Sequence, residues 1–223
     1  MEKILLDQKI LAKNELIARE LKEFYKRNRI FVLNLLSSPG SGKTSLLELI
    51  LPKLRSKYNI LVLVGDLQTD NDAKRIEKTG VKVVQINTGK ACHLDAKNIY
   101  DVLNNFENLQ DIDILFIENV GNLVCPASFD LGEDLKILLL STPEGDDKPE
   151  KYPIMVNCAN CLVINKIDLI PYVRFNIDKC IERATRINPK LDVFKCSCLR
   201  DEGLEKIINY IERKVSDKQV VPN

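Results

Sequence analysis

Residues 37–44 read S-S-P-G-S-G-K-T, from Ser37 to Thr44, between an apolar run (Phe31 to Leu36) and a helical pattern opening S-L-L-E-L-I. Strand, tight loop and helix start are the setting in which such letters hold phosphate. The loop N–H groups would wrap a β-phosphate, and the N-terminus of the following helix adds a favourable dipole. Gly40 and Gly42, with Ser41 between them, let the backbone approach an anion where a Cβ would collide. Lys43 would reach the β- and γ-phosphates, and the Thr44 hydroxyl, with Ser45 beside it, would stand at Mg²⁺. One letter departs from G-x-x-x-x-G-K-[ST]: Ser37 replaces the first glycine. The turn tolerates serine there, and the G-K-T end is intact.

Outward from this loop, strands are expected at residues 30–36, 59–64, 81–86, 112–118, 135–140, 161–165 and 192–197, most of them separated by helical stretches. Runs such as I-L-V-L-V and I-L-F-I are apolar without alternation, which marks strands buried on both faces. The expected fold is therefore α/β, a mostly parallel seven-stranded sheet with helices on both faces and right-handed crossovers. Residues 3–27 carry apolar positions at helical spacing among many charges, so 1–29 reads as an amphipathic helical arm, with room for one break, on a single globular phosphate-loop unit at 30–223. The piece S-T-P-E-G-D-D-K-P-E-K-Y-P at 141–153 is expected as the longest loop, and a closing helix at 204–215.

A chain of 223 residues with 45% apolar composition can bury one sizeable α/β core. Thirty-three basic against thirty-two acidic residues give a net charge of +1, so no nucleic-acid or membrane surface is expected. With no apolar stretch of membrane-spanning length and no signal-peptide pattern, the expected location is cytoplasmic. Seven cysteines, an odd number, are then read as core thiols, ligands or reactive groups.

In parallel α/β sheets ligands gather at the carboxyl ends of strands. Those ends here are Gly65-Asp66, Glu118 to Gly121, Asn165 to Asp168 in N-K-I-D, and Cys196-Ser197-Cys198. Asp168 can accept from both N1–H and the N2 amine of guanine, a donor pair adenine lacks. Asn165 can bridge loops toward the base, the Lys166 stem can lie on the ring, and the Ser197 and Cys198 segment can face guanine O6. The nucleotide expected is GTP, or GDP after hydrolysis. Glu118 stands where phosphate-loop enzymes hold a second acid at Mg²⁺, and Gly121 where a backbone N–H meets the γ-phosphate. Asp66 and Asp72 flank a loop that could close on Mg²⁺, although carboxylates at such places also serve as helix caps. No glutamine follows Gly121, so intrinsic hydrolysis should be slow.

The single histidine, His93, adjoins Cys92, and Cys125 lies seven residues past Glu118. Thiolate and imidazole suit Ni²⁺ or Zn²⁺ better than Mg²⁺, and three ligands leave a coordination position open. The expectation is a metal site whose affinity follows nucleotide state through Cys125. Cys158 and Cys161 have CxxC spacing but no second pair, and read as core thiols.

Taken together, S-S-P-G-S-G-K-T, G-D-L-Q-T-D-N-D-A, N-T-G-K-A-C-H-L-D, F-I-E-N-V-G-N-L-V-C-P-A-S-F-D-L-G, E-G-D-D-K-P-E-K-Y-P and N-K-I-D-L resemble the HypB family, hydrogenase and urease maturation GTPases that handle nickel. The resemblance runs from about residue 30 to the C-terminus. It implies a P-loop NTPase of the SIMIBI type that forms a GTP-dependent homodimer face to face. It further implies work with a zinc-containing HypA partner to load Ni²⁺ into the [NiFe]-hydrogenase large subunit precursor. Cys92, His93 and Cys125 fall on the family's metal positions, Lys151 on a lysine contacting nucleotide across the dimer, and Leu169 and Val173 on dimer contacts. Residues 1–29 contain neither Cys nor His, so the N-terminal nickel store of some members is not expected. Two other readings stay open at this point: a GTP-dependent scaffold with structural zinc, and a GTPase chaperone for a cobalamin enzyme.

Overall fold

A computed structural model describes residues 2–66, 70–89 and 91–220, the side chains of 2–7, 219 and 220 excepted. Residues 67–69, in the G-D-L-Q-T-D-N-D-A stretch, and Lys90 lie outside the described residues, as do the side chains of Ile4 and Leu5 in the N-terminal pattern. The elements run α1 (Glu2–Arg27), β1 (Phe31–Ser37), α2 (Lys43–Leu54), β2 (Ile60–Asp66), α3 (Asn71–Glu77), β3 (Lys82–Asn87), α4 (Ala96–Asn104), β4 (Ile114–Glu118), β5 (Leu135–Ser141), α5 (Lys148–Lys151), α6 (Pro153–Cys158), β6 (Cys161–Asn165), α7 (Ile177–Ile187), β7 (Asp192–Lys195) and α8 (Leu204–Val220).

The seven strands form one sheet in the order β3-β2-β4-β1-β5-β6-β7, and every pairing is parallel. The unalternating runs explain why: β1, β4 and β6 are buried at every position, because both faces are covered. Phe31, Leu33 and Leu35 of β1 pack under α2 and α8, while Val32 faces α1 and α4, and Leu36 faces α6 and α7. The fold is an α/β P-loop NTPase of the SIMIBI type.

Several boundaries move from those expected. α1 is one continuous helix that sets Ala18, Leu21 and Tyr25 against the sheet. Its close approach is met by Gly132, where an added Cβ would lie 2.7 Å from Ala18 O. β4 begins two residues later than expected, because Ile112 closes a turn onto Leu109 O. β7 ends at Lys195, since Ser197 pairs with Glu202 in a turn instead. α8 runs past 215 to Val220. The stretch 141–153 is no loop: Ser141 and Glu144 cap a short turn reciprocally, and α5 and the start of α6 follow. Among the described residues no helix is long and apolar enough to cross a membrane.

Candidate nucleotide site and metal centre

β1 sits between β4 and β5, so the crevice at its carboxyl end receives the phosphate loop, the end of β4 and the base loop together. Gly40 and Gly42 have φ of +73° and +100°, which a glycine adopts freely. An added Cβ at Gly42 would also lie 2.5 Å from Nδ2 of Asn165. Lys43 Nζ donates to Ser37 Oγ at 2.8 Å, so the serine that departs from the motif supplies a partner for the lysine. Burial pulls the Lys43 pKa below its ordinary value, against the opposing charge of Glu118.

A cavity of about 430 Å³ joins Lys43, Thr44, Asp66, Asp72, Glu118 and Gly121. Thr44 Oγ1 donates to Glu118 Oε1 at 2.7 Å, while Glu118 Oε2 is buried without a partner. Burial pushes the Glu118 carboxyl up to about 7, against the pull of Lys43 and the Thr44 hydrogen bond. Hydroxyl and carboxylate oxygens, one of them buried and unpartnered, fit a hard divalent cation such as Mg²⁺. Gly121 backs onto the phosphate loop, where an added Cβ would lie 2.9 Å from Pro39 N and Cα.

Two residues here escaped the sequence reading. Arg75 on α3 donates to Ser45 Oγ at 3.0 Å, pairs with Glu48 at 2.5 Å and reaches Asp72 at 3.3 Å, tying α3 to α2. The Asp72–Arg75 spacing of three on one helix was the available signal. Glu144 accepts from Ser41 Oγ at 2.7 Å, a contact between segments 103 residues apart that no local pattern announces.

At the base end Asn165 Nδ2 donates to Ser41 O at 2.9 Å, and Lys166 Nζ to Gly40 O at 2.7 Å. Lys166 has φ of +61°, which turns the chain so that Asp168 follows into the site. Asp168 accepts from the Ser197 hydroxyl, which is fully buried behind it, so Ser197 positions Asp168 rather than lining the cavity. The Cys198 N–H, expected toward guanine O6, donates to Asn165 Oδ1 at 3.3 Å. A second cavity of about 460 Å³ is lined by Gly42, Asn165, Lys166, Asp168, Cys198 and Leu199. Lys151 lines neither cavity and pairs with Asp147 at 2.5 Å.

The metal candidates converge. Cys92 Sγ lies 3.1 Å from Cys125 Sγ and 3.7 Å from His93 Nδ1, and one ligand atom of each residue falls within 4.8 Å of the others. The His93 ring rests on Phe129 with centroids 3.9 Å apart, and burial lowers its pKa, which favours the neutral, metal-binding imidazole. The Cys92 hydrogen bond, with burial, holds the Cys125 thiol above its ordinary pKa. The other thiols are free, and burial raises Cys158, Cys161 and Cys180, the last to about 12, as core thiols require.

An all-parallel sheet with a phosphate loop after its central strand defines a nucleotide-binding protein, and residues 31–195 match the CobW/HypB/UreG nucleotide-binding domain. The chain is 48% identical over 209 residues to the hydrogenase maturation factor HypB of Azotobacter vinelandii, covering 94% of this chain and 69% of that one. The chain belongs to the HypB family of hydrogenase maturation factors. It is also 46% identical over 209 residues to the hydrogenase/urease maturation factor HypB of Helicobacter hepaticus, covering 92% of this chain and 86% of that one. The crystal structure of HypB from Helicobacter pylori in complex with nickel matches it with a TM-score of 0.85 at 42% identity, covering 92% and 96% of the two chains.

Proposed function

We propose that this chain is a cytoplasmic, GTP-hydrolysing nickel metallochaperone that assists Ni²⁺ insertion during [NiFe]-hydrogenase maturation, with urease as a second client. The observation that carries the reading is the Cys92, His93 and Cys125 cluster, built from the segments that follow β3 and β4, with Glu118 closing β4 and Gly121 in the segment after it.

In this reading Gly40, Ser41, Gly42, Lys43, Thr44 and Ser45 hold the phosphates, and Asn165, Lys166 and Asp168 read guanine, with Ser197 and Cys198 behind them. Thr44, Glu118 and Asp66 would hold Mg²⁺, which supplies charge neutralisation on the phosphate oxygens when bound, and Asp72 lies beside them. Lys43 steadies the γ-phosphate as water attacks phosphorus and the bond to the β–γ bridging oxygen breaks, giving GDP and phosphate. Asn122 follows Gly121, but its amide is engaged with Cys92 O at 3.4 Å and Val124 N–H at 2.8 Å, so this side chain does not orient the water and turnover is slow.

Nickel is cargo at Cys92, His93 and Cys125, a set that zinc also accepts. Residues 1–29 act as a helical arm on the 30–223 GTPase unit. GTP draws two chains into a homodimer, with Lys151 reaching the partner's nucleotide and Leu169 and Val173 at the contact. Nickel arrives from a HypA-type partner and passes to the hydrogenase large subunit precursor.

Gel filtration with metal analysis, in GDP and in a non-hydrolysable GTP analogue, tests the reading. Dimer and a changed nickel content with the analogue are expected. Zinc held equally in both states, with no change in mass, would leave a zinc-bearing scaffold instead.

A further inference from the structure

β1 reads F-V-L-N-L-L-S, and its one amide, Asn34, is fully buried in the central strand of the sheet. A buried amide is costly unless every group finds a partner. Asn34 Nδ2 donates to Glu133 Oε1 at 2.8 Å, and Asn34 Oδ1 accepts from Asn119 Nδ2 at 3.3 Å. Asn119, 1% exposed, follows Glu118 directly. Its Oδ1 accepts twice, from Val120 N–H at 2.9 Å and from Leu94 N–H at 3.0 Å. Leu94 is fully buried and follows His93 in the chain. Val120 precedes Gly121, which presses on Pro39 of the phosphate loop. One side chain therefore stands between the backbone that borders the phosphates and the backbone that carries two of the three metal candidates.

We propose that Asn119 is the positioning residue that couples nucleotide state to the metal centre, holding the Cys92–Leu94 backbone in register with the Val120–Gly121 segment. This rests on the coupled metallochaperone reading above. The chain of amides is anchored at Glu133, whose other oxygen accepts Leu131 N–H at 2.7 Å, so a shift of Val120 is referred to a fixed point on β1. Moving Val120 must either carry Leu94 with it or break an acceptor shared by two buried donors. The contact from Asn122 to Cys92 O is longer, at 3.4 Å, and belongs to a half-buried side chain. It is the weaker link of the two.

The test measures Ni²⁺ affinity of the full chain in GDP and in a non-hydrolysable GTP analogue, and takes the ratio. At least about fivefold is expected in the unsubstituted chain, a usual size for coupling between sites. In Asn119→Ala the ratio should fall to within about twofold of one, whatever the absolute affinities become. A fivefold ratio that survives Asn119→Ala overturns the role of Asn119 alone. A ratio of one in the unsubstituted chain overturns the coupled reading and this inference together. Should Asn119→Ala not fold, amide hydrogen exchange of Leu94 in the unsubstituted chain decides. Protection differing by about tenfold or more between the two nucleotide states supports the inference, and equal protection overturns it.

Discussion

The hydroxyl of Thr44 and the carboxyl of Glu118 meet at 2.7 Å across 74 residues of sequence, leaving the second Glu118 oxygen buried and unpartnered. A carboxyl so placed holds its proton more tightly folded than unfolded, its pKa rising from 4.5 to about 7. The stability tied to it is complete below the unfolded value and is lost as pH rises through the folded one. For the chain without nucleotide or Mg²⁺, denaturant unfolding should show about 3 kcal/mol of lost stability between pH 4.5 and 8 that Glu118→Gln abolishes. Parallel pH profiles in the two proteins would contradict it.

The 3.1 Å approach of Cys92 and Cys125 leads to a second expectation. Cys125→Ser should lower Ni²⁺ affinity by at least about tenfold, since even outer partners of a metal site cost that much when removed. Competition against a chelator measures it, with far-ultraviolet circular dichroism to check the fold. Undiminished affinity would move the metal elsewhere.

Guanine specificity should reside in Asp168, which is buried and oriented by Ser197. Asp168→Asn removes an acceptor from the purine N1–H and N2 amine and supplies a donor in its place. GDP affinity should fall by about 2–3 kcal/mol, roughly a hundredfold, while the xanthine nucleotide, with a carbonyl at C2, should bind better than GDP. Titration with both diphosphates settles it, and retained preference for GDP would count against the base assignment.

What could be read from the letters and what could not divide along the range of the interactions. The sheet was legible because strands buried on both faces show as unbroken apolar runs, and the phosphate loop because its glycines and lysine serve backbone and charge needs within eight residues. Cys92, His93 and Cys125 were legible as a set because thiol and imidazole have few other reasons to recur beside a nucleotide motif. Glu144 and Asn119 were not, since each acts through a partner on a distant element, and of Arg75 only the spacing from Asp72 was local, not its contacts to Ser45 and Glu48. Nor was the folded state of 141–153, where prolines and acidic residues that read as a loop instead start short helical turns.

Asn14 brings the first helix into the same account. It is 5% exposed, donates to Asp130 O at 2.8 Å, and accepts from Ala96 N–H at 2.8 Å, three residues past His93. Helix α4 is capped just there by Asp95, whose side chain accepts from Asn98 N–H. The first helix thus clamps the start of α4 and the loop carrying Asp130 from one side chain. Asn14→Ala leaves the buried Ala96 N–H unsatisfied and removes the part-buried bond to Asp130 O, costing about 2–4 kcal/mol and lowering the midpoint of thermal unfolding by roughly 4–16 °C. The metal loop should also loosen locally, read as faster exchange of the Ala96 and Leu94 amides at temperatures where the sheet remains intact. Unchanged stability and exchange would mean that Ala96 finds another acceptor and that α1 is held by its apolar face alone.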